Sequence, residues 1–199
     1  MPMPLVLASS SPARMAMLAA AGVRAEAVAP RVDEAAARAA MAAEGARPRD
    51  VADALAEAKA RKVAGRRPEA LVIGSDQVLD LEGEALGKPG SPEEALAQIG
   101  RLAGRTHRLH SAAVAHAGGE PVWRHVETAT MTMRAPSEEW LRGYVARNWD
   151  AIRGSVGGYV IEGEGVRLFA SVRGDGFAIR GMPLVPLLAW LTARGEIEG

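Results

Sequence analysis

The stretch Leu5-Val6-Leu7-Ala8-Ser9-Ser10-Ser11-Pro12-Ala13-Arg14 constrains the fold more than any other part of the chain. Its short unbroken apolar run reads as a strand buried on both faces, and such strands belong to sheets covered by helices. Ser11 is a good N-cap and Pro12 suits the first helical position, so strand gives way to helix almost at once and the fold class is α/β. A second Ser-Pro start, Ser91-Pro92-Glu93-Glu94, completes a capping box with Glu94 at N3 and closes its helix end internally. The upstream copy has Ala13 and Arg14 in place of the acids. That leaves backbone N–H groups, the helix dipole and a guanidinium converging where a phosphate could sit, although an ordinary capped helix with a surface arginine fits the same residues.

The length of 199 residues suits one domain, residues 1–199, or two small lobes around a cleft, with enough chain for a real core. Lys plus Arg and Asp plus Glu both number 24, so no global field favours nucleic acid or an anionic membrane. Any phosphate binding must be local. The absence of cysteine removes disulfide frameworks, thiolate zinc sites and cysteine nucleophiles. The N-terminus shows no basic segment followed by a long apolar run, and no stretch of about twenty apolar residues occurs, so the expected location is the cytoplasm, with no membrane partner.

Leu71 to Ile73 is a second buried-strand run, ending in Gly74-Ser75-Asp76, after which a hairpin is expected. Ligands in open α/β sheets gather beyond the carboxyl ends of such strands, which would put the Ser9 and Asp76 regions on one edge. Helices are predicted over Asp33–Ala43, Pro48–Ala64 and Pro92–Leu102, and a last one begins at Pro183. His110–Ala115 and Val126–Arg134 read as strands, the second with Ala129, Met131 and Met133 alternating against Thr128, Thr130 and Thr132. Ser137 caps a further helix, and Gly154–Gly165 is either loop or interrupted strand.

Lys59 stands on an apolar stripe with Val51, Leu55 and Val63, so it points inward, where its stem either snorkels outward or its ammonium meets an anion such as a substrate phosphate. Asp76 can hold a metal, orient a water or simply open an Asx turn. Glu34 is a helix-dipole acid or a ligand for a hard cation. Leu86-Gly87-Lys88-Pro89 is no P-loop, because the glycine spacing is too short and Pro89 replaces the required hydroxyl residue. Gly163-Glu164-Gly165 lacks the third glycine of a dinucleotide fingerprint. His107 and His110 face opposite sides of a strand and are read as structural. Ser, Arg and Lys donors with hard carboxylates remain, a set suited to a polyphosphate bound through a divalent cation and cleaved by water.

The motifs resemble those of the Maf family of nucleotide pyrophosphatases along nearly the whole chain. They are Leu7–Arg14, Val32-Asp33-Glu34, Ala58-Lys59-Ala60, Ile73–Val78, Leu86–Pro89, Leu102–His107, Gly158–Gly163 and Gly181-Met182-Pro183-Leu184. The resemblance implies a bent mixed sheet flanked by helices, with two lobes around a cleft as in the inosine triphosphatases. It implies hydrolysis of a nucleoside triphosphate to monophosphate and pyrophosphate with a divalent cation, for which the oxygen-only candidate ligands favour Mg²⁺ or Mn²⁺, and a homodimer, as is common among similar family members. It also casts Asp76 as proton acceptor, Ser9, Arg14, Lys59 and Lys88 as phosphate-handling residues and Glu34 as an acidic position of the site. With the chemistry of the residues themselves, this assigns Asp76 and Lys59 to catalysis, Ser11 to substrate binding beside the phosphate-handling set, and Glu34 and Asp76 to a metal.

Three departures mark this chain. Ala13 replaces the first of two arginines common in the family, Gln77 stands where Thr is frequent, and Glu162 stands where Gln is frequent. The last two look like the subgroup that prefers 7-methyl-GTP, and Gln77 and Glu162 are accordingly assigned to substrate binding. A carboxylate at 162 can accept hydrogen bonds from the guanine N1–H and amino group and favours a cationic methylated purine, unless it binds metal instead. Rival readings are a nucleotide-sensing regulator of cell division with little turnover, and a plain structural domain whose charged side chains point to unrelated surfaces.

Overall fold

The computed structural model describes residues 3–198, so positions 1, 2 and 199 of the expected 1–199 unit lie outside the described residues. In chain order the elements are β1 (Leu5–Ala8), α1 (Pro12–Ala20), β2 (Glu26–Ala27), α2 (Glu34–Ala43), α3 (Pro48–Ala64), β3 (Leu71–Leu81) and β4 (Glu84–Leu86). They continue with α4 (Pro92–Leu102), β5 (Thr106–Ala117), β6 (Glu120–Met133), α5 (Glu138–Ile152), β7 (Phe169–Arg173), α6 (Gly176–Ile179) and α7 (Leu184–Arg194). The glycine-rich stretch left open between loop and strand forms two 3₁₀ turns, Val156–Gly158 and Glu164–Leu168.

The strands form one mixed sheet in the order β2-β1-β3-β5-β6-β7, with β4 also joined to β3. β1 runs parallel to both its neighbours, and the remaining pairs are antiparallel. β3 is the axis of the sheet. One of its edges pairs with β5 from Val72 to Asp80, while the other pairs first with β1, from Leu71 to Gly74, and then with β4, from Leu79 to Leu81. Ser75 to Val78 lie between those partners, so the sheet forks there.

β3 is longer than the sequence suggests. Gly74-Ser75-Asp76 reads as the end of an apolar run, yet the strand continues through it to Leu81, because Ser75 and Asp76 are buried with polar partners. The expected hairpin therefore falls later, at Glu82-Gly83, where both residues take positive φ, 54° and 91°, as a type I′ loop requires. Pro183 precedes the last helix as its N-cap rather than opening its first turn. The alternation in β6 holds, with Ala129, Met131 and Met133 buried.

On one face of β3, Leu71 and Ile73 join a core with β1, α1 and α7, while Leu79 and Leu81 join a separate core with α4 and α5. Ser75 and Gln77 occupy the same face between the two cores. The other face packs Val78, Ala112 and Val114 against Val51, Leu55 and Ala56 of α3, each large buried side chain contributing about 1.5–3 kcal/mol. At Gly74 strand and helix meet backbone to backbone: a Cβ there would lie 2.1 Å from the Ala56 carbonyl oxygen and 2.6 Å from the Ala60 nitrogen. α2, by contrast, buries no residue and rests on the α3 core only through partly buried Ala37 and Met41.

Candidate active site

The N-terminus of α1 lies where the sheet forks. Ser11 caps the helix, its Oγ accepting from the Arg14 N–H at 3.5 Å, and Pro12 follows at N1. The Ser11 N–H donates to Ser9 Oγ at 3.1 Å, and Pro12 has none. Fewer donors stay open than the sequence promised. The Ala13 N–H remains, with no acid in the first turn.

Arg14 lines the cavity and is also a structural anchor. The buried guanidinium donates through Nε to the Gly181 carbonyl at 2.8 Å and through one terminal nitrogen to the Ser75 carbonyl at 2.9 Å and Ser9 Oγ at 3.3 Å, while its other terminal nitrogen has no hydrogen-bond partner among the described residues. It bolts the loop before α7 to the unpaired edge of β3. Burial pulls this guanidinium below its usual pKa, with Asp76 and Glu34 opposing the shift. An arginine nevertheless keeps its charge, so Arg14 adds positive potential to the fork.

Lys59 projects inward from α3, as its stripe predicts, and its anionic partners are side chains of the protein. Its Nζ lies 2.5 Å from Asp76 Oδ1 and 2.7 Å from Glu34 Oε1, with only 4% of the side chain exposed. Snorkelling is thereby excluded, and the phosphate offered as its partner gives way to two carboxylates. An ammonium this deep requires them, since removing one member of a buried pair costs about 3–5 kcal/mol. Burial opposes ionisation of Glu34, but Lys59, then Lys88 and Arg14, outweigh it and hold the carboxyl below the usual range. Asp76 is neither a turn opener nor fully engaged, because Oδ2 has no hydrogen-bond partner among the described residues.

These groups line one cavity of about 470 Å³, which reaches from Ser9, Ser11 and Arg14 past Glu34, Lys59 and Asp76 to Lys88. A plain domain with scattered charges would not bring them together. Burial pulls the Lys88 ammonium below the ordinary lysine value, partly opposed by Glu34, and no carboxylate lies within ion-pair distance among the described residues. Gln77 lines this cavity too, but its amide nitrogen is turned away, bonding Ser111 Oγ and the Ala178 and Ile179 carbonyls, each at 3.0 Å. Glu162 lies outside it. A smaller adjoining cavity of about 90 Å³ holds Glu162 with Gln77, Tyr159 and Val160. Arg180 lines both cavities and pairs with Glu162 at 2.6 Å, a placement no spacing rule picks out, although its neighbours Gly181-Met182-Pro183 form a recognisable motif.

The histidines are structural, as expected. His107 Nε2 bonds the Tyr159 hydroxyl at 2.7 Å in the α4–α5 core, where burial lowers its pKa to about 4. His110 lies on the opposite face against Asp80 and Thr128.

No group of three His, Cys, Asp or Glu side chains is placed to hold a metal among the described residues. Glu34 and Asp76 come together from two elements on the Lys59 ammonium, each through one oxygen, and both line the cavity with oxygen donors only. That donor set fits a hard divalent cation completing its shell with phosphate oxygens and water, as Mg²⁺ does.

Fold and site together define an α/β protein with a cation-lined, carboxylate-bearing pocket at the fork of a mixed sheet. The chain matches the family described as Maf-like protein over residues 4–194. It is 54% identical over 198 residues, covering 100% of both chains, to a nucleoside triphosphate pyrophosphatase of Ruegeria pomeroyi. It is 52% identical to a protein of the same name from Sphingopyxis alaskensis, covering 97% of this chain and 98% of that one. A 7-methyl-GTP pyrophosphatase of Mesorhizobium japonicum is 48% identical, with 98% of each chain covered. The chain belongs to the Maf family.

Proposed function

We propose that this protein is a nucleoside triphosphate pyrophosphatase, a hydrolase that converts the triphosphate to monophosphate and pyrophosphate in the pocket at the sheet fork. The observation that carries the reading is the Glu34–Lys59–Asp76 cluster, built on the buried Lys59–Asp76 pair, facing the same cavity as the open end of α1. Relatives named for this activity cover the full chain at about half identity. The chain acts as a single domain, its two cores on one face of β3 forming two lobes around the cleft, an arrangement like that of the inosine triphosphatases.

The triphosphate lies along the cavity with phosphate oxygens against the Ala13 N–H, the Ser9 and Ser11 hydroxyls and Lys88, under the fixed potential of Arg14. Lys59 holds Asp76 Oδ1, and Oδ2 takes the proton of a water attacking the α-phosphorus. The bond to the bridging oxygen breaks and pyrophosphate leaves. A divalent cation, Mg²⁺ or Mn²⁺, held by Glu34 and Asp76, would neutralise the phosphate charge when bound. The base enters the smaller cavity, which Gln77 and Glu162 line, and Glu162 accepts from a purine edge.

The test is pyrophosphate release from a nucleotide panel with Mg²⁺, comparing the wild type with Glu162→Gln. Release from at least one triphosphate is expected, with the ratio of 7-methyl-GTP to UTP turnover falling in the variant. No release from any nucleotide would sink the enzyme reading, and an unchanged ratio would remove Glu162 from base selection.

A further inference from the structure

Of the four cations that face the two cavities, two are already engaged with the protein. Arg14 is anchored through Nε and one terminal nitrogen to two carbonyls and a hydroxyl, which fixes its guanidinium in place, and Lys59 is held by two carboxylates. Lys88 and Arg180 remain, and a triphosphate carries several negative charges. Arg180 is held firmly at its backbone: the Ala178 and Ile179 carbonyls just before it accept from Gln77, Ala178 accepts also from Ser111, and the Gly181 carbonyl just after it accepts from Arg14 and Ser75. Its side chain, however, is held only by Glu162. That contact uses Nε alone, and neither terminal nitrogen has a hydrogen-bond partner among the described residues.

The two side chains are 34% and 43% exposed, so the pair is weak and exchangeable. A phosphate offers the same guanidinium a bidentate, more highly charged partner. Ala13, with the smallest side chain that could stand there short of glycine, lines both cavities with Arg180 and leaves room for the guanidinium to turn from one toward the other.

We propose that Arg180 is a phosphate-binding residue held in reserve by Glu162, exchanging that carboxylate for the substrate's triphosphate on binding and so releasing Glu162 to the base. The proposal rests on the pyrophosphatase reading of the pocket and adds a specificity device to it, since phosphate capture and base reading become linked through one ion pair.

The test uses inorganic triphosphate with Mg²⁺, a probe without a base, and measures its binding by calorimetry to the wild type, Arg180→Ala, Arg180→Lys and Glu162→Gln. Arg180→Ala is expected to weaken binding about 10- to 100-fold, the span of a hydrogen bond to a charged group. Arg180→Lys should recover part of that loss. Glu162→Gln should tighten binding about two- to five-fold, because an exposed competitor has been removed. A mere structural pair predicts the opposite sign for Glu162→Gln. Wild-type binding by Arg180→Ala, or equal weakening in the alanine and glutamine variants, overturns the proposal. Failure of the pyrophosphatase reading is separable: it appears as wild-type protein that binds inorganic triphosphate yet releases pyrophosphate from no nucleotide.

Discussion

The chain begins two helices with the same dipeptide, and the two ends are finished differently. At α4, Ser91 Oγ accepts from the Glu94 N–H at 3.2 Å, and the Glu94 carboxylate accepts from the Gly90 N–H at 2.7 Å, one residue upstream of the N-cap N–H expected from the capping-box pattern. Two acids stand in its first turn. At α1, Ser11 caps at a longer distance, no acid follows, and the first turn faces a cavity lined by lysine and arginine. The same capping chemistry thus serves stability in one place and leaves charge available in the other. The residues at N2 and N3 decide which.

If the α1 end serves a reaction, the sharpest contrast comes from the carboxylate beside it. Asp76→Asn should lower pyrophosphate release by about 10²- to 10⁴-fold, the usual loss on removing a general base, while no variant at the α4 end should do so. Exchanging the chemistry of the two ends comes next: Ala13→Glu places an acid at N2 of α1 and should raise the KM for triphosphate about tenfold. The same substitution should leave thermal stability equal or higher by up to about 1 kcal/mol, since it complements the helix dipole. A fall in thermal stability with unchanged KM would erase the distinction between the ends.

A smaller effect concerns pH. Lys88 is cationic below its lowered pKa and neutral above it, so its help to phosphate binding is present on the acid side of that value and disappears as pH rises through it. KM should climb on the alkaline side earlier than an ordinary lysine would allow. Lys88→Arg should flatten that limb, as measured by KM against pH. The least effect on turnover is expected from Ser91→Ala with Glu94→Ala, which should cost about 1–2 kcal/mol of stability, read as a fall in Tm of several degrees, with kcat unchanged.

Much of this was legible in the residues because it depends on local chemistry. The Ser-Pro caps, the helix over Pro48–Ala64 and the inward stripe of Lys59 follow from spacing alone, and α3 and α4 begin and end where those signals stand. What escaped depends on contacts between distant segments. Gly74-Ser75-Asp76 resembled a strand end because polarity was visible and its compensation was not: the Gly181 carbonyl and Lys59, which satisfy Ser75 and Asp76, come from far along the chain. The same blindness hid the true partners of Arg14 and Lys59. Arg180 had no periodic signal at all, and only the folding of α6 over the polar gap of β3 brings it to the cavity wall.

The backbone contact at Gly74 has a consequence for evolution and engineering alike. Since strand and helix already touch there, the gap between the Lys59 ammonium and the Asp76 carboxylate has no slack through which it could be retuned. Any heavier residue at that position would prise α3 outward and carry the lysine with it. The alignment of the reacting groups is guarded by a carbon atom that the chain leaves out.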